Sequence, residues 1–404
     1  MNDELVSEKP RRASRAGLEV LSVFLRLGCT SFGGPVAHLG YFRTELLERR
    51  GWCSEETYAE IIAVAQSLPG PASSQVAFSL GWLRGGWLGA LAAWVGFTLP
   101  SAALMMWFAF AEQSLHGRIG FAIVHGLELS AVAIVAQAIL AMRRRLTPDW
   151  GRILIALVAV PIAMFAPASV STLLAIAFGA LCGAAFLRGD SAPTPPQIDL
   201  RTSHRAGTIA AVVYAVLLMA SAFIPKTSTG VRQVVSAFYL SGALVFGGGH
   251  VVLPLLEHAV VSRGWVTQPS FLTGYGFAQA IPGPLFTFAA FLGASIQPTG
   301  SRVGLGLVAL ISIFLPGLLA MVVALSFWSR LREFRLLQTA LPGVNASVLG
   351  VLAAAFFRPV CSTAIHSALD LLVAGAALVL LTVGRVRPLL IVLVAVVASV
   401  LMER

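Results

Sequence analysis

Two pairs of short motifs carry the residues of this sequence best placed to do chemistry. The first is Phe32-Gly33-Gly34-Pro35 with His38. The second is Gln66-Ser67-Leu68-Pro69-Gly70-Pro71, followed by Ser73 and Ser74. Both return about 214 residues later, as Phe246-Gly247-Gly248-Gly249-His250 and as Gln279-Ala280-Ile281-Pro282-Gly283-Pro284 followed by Thr287. Gly gives up helix stability and Pro lacks the amide donor, so each motif ends one helix and starts another. A restarted helix offers N–H groups with no partner of their own and the positive end of its dipole. Hydroxyls on its first turn add further donors. That set suits an oxyanion, which accepts hydrogen bonds on every side. A site for a cation would be built from Asp and Glu.

Three side chains add charge or titration. Arg26 stands in the apolar run before the first break. A charge inside a bilayer costs at least ~2.5 kcal/mol on insertion scales, so Arg26 must face a cavity, face a partner or snorkel to the surface. In the first role it supplies the full charge that helix ends lack. Glu128 lies in mid-span, opposite Asn345 in the repeat, and is either a proton-coupling carboxylate or a structural one bonded to a neighbouring helix. His38 and His250 sit just past their breaks, within reach of a bound anion, or pack as neutral imidazoles. Glu257 aligns with Arg43, so the halves are not chemically equivalent.

The elements that position these residues are membrane helices. The 404 residues are 57% hydrophobic and 11% charged, against about 25% charged in soluble domains. That is too little charge to cover a water-facing surface, and the lipid bilayer is the fitting solvent. Residues 1–16 are basic and polar and lack a signal-peptide cleavage pattern. The apolar run 17–32 reaches about 24 Å, short of the ~30 Å hydrocarbon core. Residues 35–50 then carry His38, Arg43, Glu45, Glu48, Arg49 and Arg50, so their far end is wet. Ser54-Glu55-Glu56 opens the next helix, which stops at Pro69-Gly70-Pro71 and leaves again at Arg84. Both segments read as re-entrant hairpins; the alternative is full spans kinked by Pro and Gly.

Ordinary spans follow at 86–110, with a kink expected at Pro100, and at 119–142, 150–167 and 169–187. Residues 188–205 are polar and Pro-rich, the one linker in the chain. The expected organisation is a first repeat at 17–187, a linker with one connecting helix at 188–230, and a second repeat at 231–402. Pro316 answers Pro100 in the long span 302–328. The connecting helix inverts the second repeat relative to the first. With the N-terminus cytoplasmic, most Lys and Arg residues, including Arg143-Arg144-Arg145, fall inside. The fold class is an all-α polytopic inner-membrane protein built from two inverted repeats with broken helices.

The net charge of +10 is scattered between apolar segments and does not form a nucleic-acid-binding patch. Cys29, Cys53, Cys182 and Cys361 have no paired spacing and suit neither a disulfide framework nor zinc. No HExxH, Walker loop, His/Cys cluster or Asp-rich motif is present, so no catalytic, metal or cofactor site is expected. Transport would have to run on ion gradients. The small-residue face Gly85-Gly86 with Gly89 packs within the chain or across a homodimer.

The four motifs, in order and at repeat spacing, resemble the chromate ion transporter family in its long, two-domain form, over essentially the whole chain. The resemblance implies export of chromate from the bacterial cytoplasm across the inner membrane, driven by the proton motive force, and chromate resistance. Chromate is a tetrahedral dianion shaped like sulfate, so sulfate is a second substrate or competitor on shape alone. A passive anion channel or a sulfate importer would use the same pore chemistry. The residues by themselves reach an anion transporter; chromate comes from the family. Gly249 stands where the first motif has Pro35, so the anion need not be held symmetrically.

Overall fold

The computed structural model describes residues 2–115, 117–166, 171–187, 203–224, 230–246, 251–296, 301–331 and 335–402. These form helices, with no strand among them. The first half comprises α1 (Asn2–Thr30), α2 (Gly34–Phe42), α3 (Glu55–Ser67), α4 (Ala72–Ala111), α5 (Gly117–Leu146), α6 (Trp150–Phe165) and α7 (Ser171–Phe186). Helix α8 (His204–Phe223) connects to the second half. That half comprises α9 (Val231–Ala243), α10 (Val252–Val260), α11 (Gln268–Ala280), α12 (Phe288–Ser295), α13 (Arg302–Leu331), α14 (Arg335–Ala355), the short α15 (Ser362–Ala364), α16 (Ala368–Thr382) and α17 (Pro388–Met402).

Among the described residues, five stretches are long and apolar enough to cross a membrane: Ala72–Ser114, Gly117–Leu146, His204–Phe223, Arg302–Phe327 and Thr339–Ala364. Large apolar side chains such as Phe165, Phe186 and Val216 stand exposed on the outer helices. In water such a surface would aggregate; in a bilayer it is solvated. The chain is a multi-pass membrane protein.

The helix ends follow local chemistry. Gly33 and Gly34 both take positive φ, 98° and 77°, and Pro35 starts α2, which continues as a π-helical turn over Arg43–Glu48. Ser54 caps α3 by accepting from the Thr57 N–H, and Thr267 caps α11 by accepting from that of Ser270. Each of these two helices then ends in an extended residue, Leu68 or Ile281, before its Pro-Gly-Pro.

The kink expected at Pro100 falls elsewhere. Helix α4 stays regular through Pro100 and breaks at Gly85 and Gly86, where Gly86 has φ 59° and ψ −147°. Likewise α13 stays regular through Pro316 and departs from helical geometry at Phe327. A proline frees the carbonyl four residues earlier, and at Pro100 another helix covers that spot. Gly28 of α1 packs so close that a Cβ there would lie 2.8 Å from the carbonyl oxygens of Gly96 and Phe97. Gly242 of α9 presses on Ile313 and Pro316 in the same way.

Packing is crossed between the halves. Helix α5 packs on α11, α16 and α17, all from the second half, and α14 packs on α6 and α7 from the first. Each half thus lends its last two helices to the other. Within their own halves α1 packs on α4 and α9 on α13, while α12 and α13 also reach across to α4.

Candidate functional site

The breaks meet in crosswise pairs. The Gly70 N–H donates to the Val245 carbonyl at 2.8 Å, and the Gly283 N–H donates to the Ser31 carbonyl at 2.9 Å. The second break of each half is therefore tied to the first break of the other. Gly70 has φ 112° and Gly283 φ 101°. A Cβ on Gly70 would lie 2.7 Å from the Gly317 Cα, and one on Gly283 would lie 2.6 Å from the Ser101 Oγ. Gly317 follows Pro316 as Ser101 follows Pro100, so the two junctions are built alike. Gly is required at both, by conformation and by space.

Open polar groups cluster around the first-half break, although Gln279 Nε2 and Thr273 Oγ1 are open in the second half. Intrahelical bonding in α4 starts with the Gln75 N–H to the Pro71 carbonyl at 3.0 Å. The N–H groups of Ala72, Ser73 and Ser74 precede it. Ser73 and Ser74 are buried, and Ser73 Oγ shares a 3.3 Å hydrogen bond with His38 Nδ1. His38 is fully buried, edge-on to Phe97. Its Nε2 has no partner, nor do the buried hydroxyls of Ser74, Ser31 and Thr98. Gln75 spends its amide on the Pro69 and Gly317 carbonyls, at 2.8 and 2.9 Å, and so fixes the loop between α3 and α4. Buried polar groups in native folds nearly all have partners. A group of open donors beside a helix N-terminus is what a hydrogen-bond-accepting ligand would complete.

The second-half counterpart differs. After Pro282 and Pro284 the chain makes a 3₁₀ turn, Leu285–Thr287, before α12. There the Thr287 hydroxyl donates to the Pro284 carbonyl at 2.8 Å and is already used. Its neighbours Leu285, Phe286 and Phe288 are apolar and buried. Gly247, Gly248, Gly249 and His250 lie outside the described residues.

Arg26 is not among the buried break residues. It is exposed in a cleft of about 610 Å³ whose walls include Thr30, Tyr41, Thr44, Glu45 and Arg49. Beyond it, ion pairs tie α1, α3, α4 and the turn after α2. Arg84 and Arg50 reach Glu19 at 2.9 and 3.8 Å, Arg50 and Arg49 reach Glu45 at 2.9 and 3.2 Å, and Arg43 reaches Glu55 at 2.9 Å. Burial pushes the Glu45 carboxyl up, but hydrogen bonds from Arg50 and Arg49 outweigh it and hold the group below its usual range. Glu128 is likewise apart from the breaks, buried on α5 with His125 Nδ1 at 3.8 Å.

The sequence reading did not single out Ser31, Gln75, Thr98 or Ser101. Their types carry no signal in an apolar helix; only the flanking Gly28, Pro69 and Pro100 hint that backbones approach there.

A model of the family described as chromate transporter matches residues 18–184 and 232–400. The chain is 28% identical over 354 residues to a chromate transport protein of Pseudomonas aeruginosa, covering 83% of this chain and 79% of that one. It is 28% identical over 341 residues to a chromate transport protein of Cupriavidus metallidurans, covering 83% and 81%. The uncharacterized transporter YwrA of Bacillus subtilis is 29% identical over 119 residues, covering 29% of this chain and 65% of that one. No solved structure matches. With both halves matched to one family, this membrane protein belongs to the chromate transporters.

Proposed function

We propose that the chain exports chromate from the cytoplasm across the bacterial inner membrane, driven by the proton motive force, and so confers chromate resistance. The observation that carries this reading is the set of open hydroxyls at the start of α4, with Ser74, Ser31 and Thr98 unpartnered and buried around His38. Neutral donors at a helix N-terminus favour a tetrahedral oxyanion. Chromate and sulfate share that shape, and chromate is preferred because relatives across most of the chain are named for it.

In this reading Gly33, Gly34, Pro35, His38, Pro69, Gly70, Pro71, Ser73 and Ser74 form the main half of the site. Gly247, Gly248, Gly249, His250, Pro282, Gly283, Pro284 and Thr287 form the weaker half. Arg26 draws the anion into the open cleft, and Glu128 carries the coupling proton. The repeats are 17–187 and 231–402. The segment 188–230, with α8 inside it, sets them in opposite orientation with the N-terminus cytoplasmic. The crosswise bonds of Gly70 and Gly283 support this arrangement. Alternating access would rock one half against the other about those two junctions.

The test is chromate uptake into everted membrane vesicles, with and without an acid-lumen gradient. Gradient-dependent uptake inhibited by sulfate is expected. Arg26→Ala and Pro69→Ala should each abolish it while the protein still inserts; normal export by both variants at equal expression would sink the site. Uptake that ignores a collapsed gradient would favour a passive channel.

A further inference from the structure

We infer that Glu128, His125 and Asp370, buried where α5 meets α16, form a proton-binding site in which Glu128 exchanges the proton and the other two hold it in place. This rests on the proton-driven reading above and names the machinery for it. It joins a residue pair from one half to an acid 242 or more positions away in the other.

Asp370 is fixed as an anion. Its Oδ2 accepts from the His366 and Ser367 N–H groups at 2.9 and 2.8 Å, and its Oδ1 accepts from His125 Nε2 at 2.9 Å. Asp370 also completes a capping box with Ser367 at the positive end of α16. A carboxylate so satisfied resists protonation. Because Asp370 accepts from Nε2, His125 keeps a proton there, and its other nitrogen, Nδ1, faces Glu128 Oε2 at 3.8 Å. Side-chain exposure is 13% for His125, 7% for Glu128 and 4% for Asp370.

Only two charge arrangements are then comfortable. Either His125 is a cation between two carboxylates, or Glu128 is protonated and His125 neutral. Both hold the same number of protons. Removing one leaves two buried carboxylates facing a neutral ring, and like charges at low dielectric repel strongly. Proton loss from Glu128 therefore strains the α5–α16 contact, which is one of the places where the halves cross.

The surroundings agree. His366 is exposed, and its ring stacks on that of His125 at 6.0 Å, which gives the site a solvent end. Glu112, at the end of α4, accepts from the Ser270 hydroxyl at 2.9 Å, and Arg302 nearby donates to Gln113 and the Ala109 carbonyl. Of the other elements on α5, α11 brings Tyr275, the turn after α14 brings the exposed Arg358 and Cys361, and α17 has no ionisable side chain among its described residues. Glu128 and Asp370 approach opposite ring nitrogens, so the three do not converge on one point as metal ligands must.

The test compares, for each variant, net chromate uptake into everted vesicles with and without an acid-lumen gradient of one pH unit. One coupled proton supports about tenfold accumulation for that gradient. Wild type is expected to show that ratio and Glu128→Gln a ratio near one. Asp370→Asn is expected to move the pH of half-maximal uptake down by about one unit, since His125 loses its anion. A wild-type-like ratio in Glu128→Gln, together with an unmoved pH profile in Asp370→Asn, overturns the inference. So does a Glu128→Gln protein that moves no chromate and unfolds well below the wild-type temperature, which would mark a structural acid. Gradient-independent uptake by wild type itself would instead refute the proton-driven reading, and this inference with it.

Discussion

Replacing Gly70 by Ala tests whether the crosswise junction of the breaks is the pivot of the molecule. Two costs add at this position. The residue has φ 112°, a region L side chains rarely adopt, and forcing one there costs about 1–2 kcal/mol. The new Cβ would also lie 2.7 Å from the Gly317 Cα, backbone that has no rotamer to turn away. Overpacking of that kind costs about 1–3 kcal/mol. The sum, about 2–5 kcal/mol, is a large part of a typical folding free energy. Gly34 supplies the control. Its φ is 77°, but a Cβ there meets nothing within 4 Å, so Gly34→Ala pays the backbone cost alone. Thermal unfolding of the detergent-solubilised proteins, read with vesicle uptake of chromate, should rank wild type above Gly34→Ala and that above Gly70→Ala. Gly283→Ala should be partly restored by Ser101→Gly, because the atoms in its way are the Ser101 side chain. If Gly70→Ala unfolds no lower than Gly34→Ala and transports as well, the close junction between the halves is refuted.

Two further outcomes are expected. Ser74→Ala removes a buried hydroxyl that has no protein partner, so the unfolding temperature should hold. The concentration for half-maximal chromate uptake should rise about 10- to 100-fold, the worth of a hydrogen bond to a charged group. In a cysteine-free background, Ser203→Cys should react with an impermeant thiol reagent from the cytoplasmic side and Arg118→Cys from the outside; the reverse pattern would overturn the orientation.

Much of the helical layout could be read from the sequence because Gly and Pro act locally. Gly33-Gly34-Pro35 and Pro69-Gly70-Pro71 end and restart helices wherever they stand, and Ser54 caps by reaching three residues ahead. The boundary at Arg84 was read from its charge, and α4 breaks at the adjacent Gly85 and Gly86, which the sequence reading took only for a packing face. Pro100 misled because its effect depends on what covers the freed carbonyl, and Gly28, some 70 residues away, does so. The site was half legible. His38, Ser73 and Ser74 follow their breaks directly. The partners of Glu128 were hidden: Ser367 and Asp370 spell a helix start, but nothing local says that His125 lies against it. The exposure of Arg26 was equally a matter of which face of α1 meets α4.

The exchange of end helices between the halves bears on how the protein is made. When α6 and α7 leave the ribosome their seat on α14 does not yet exist. It arrives roughly 150 residues later, on the order of 7–30 s at usual synthesis rates of about 5–20 residues per second. During that wait the pair is held by lipid and by the packing of α6 on α7, and the partners of α5, α16 and α17, come later still. The chain therefore cannot complete its first half before its second, and biogenesis ends with a mutual clasp rather than with two finished domains docking.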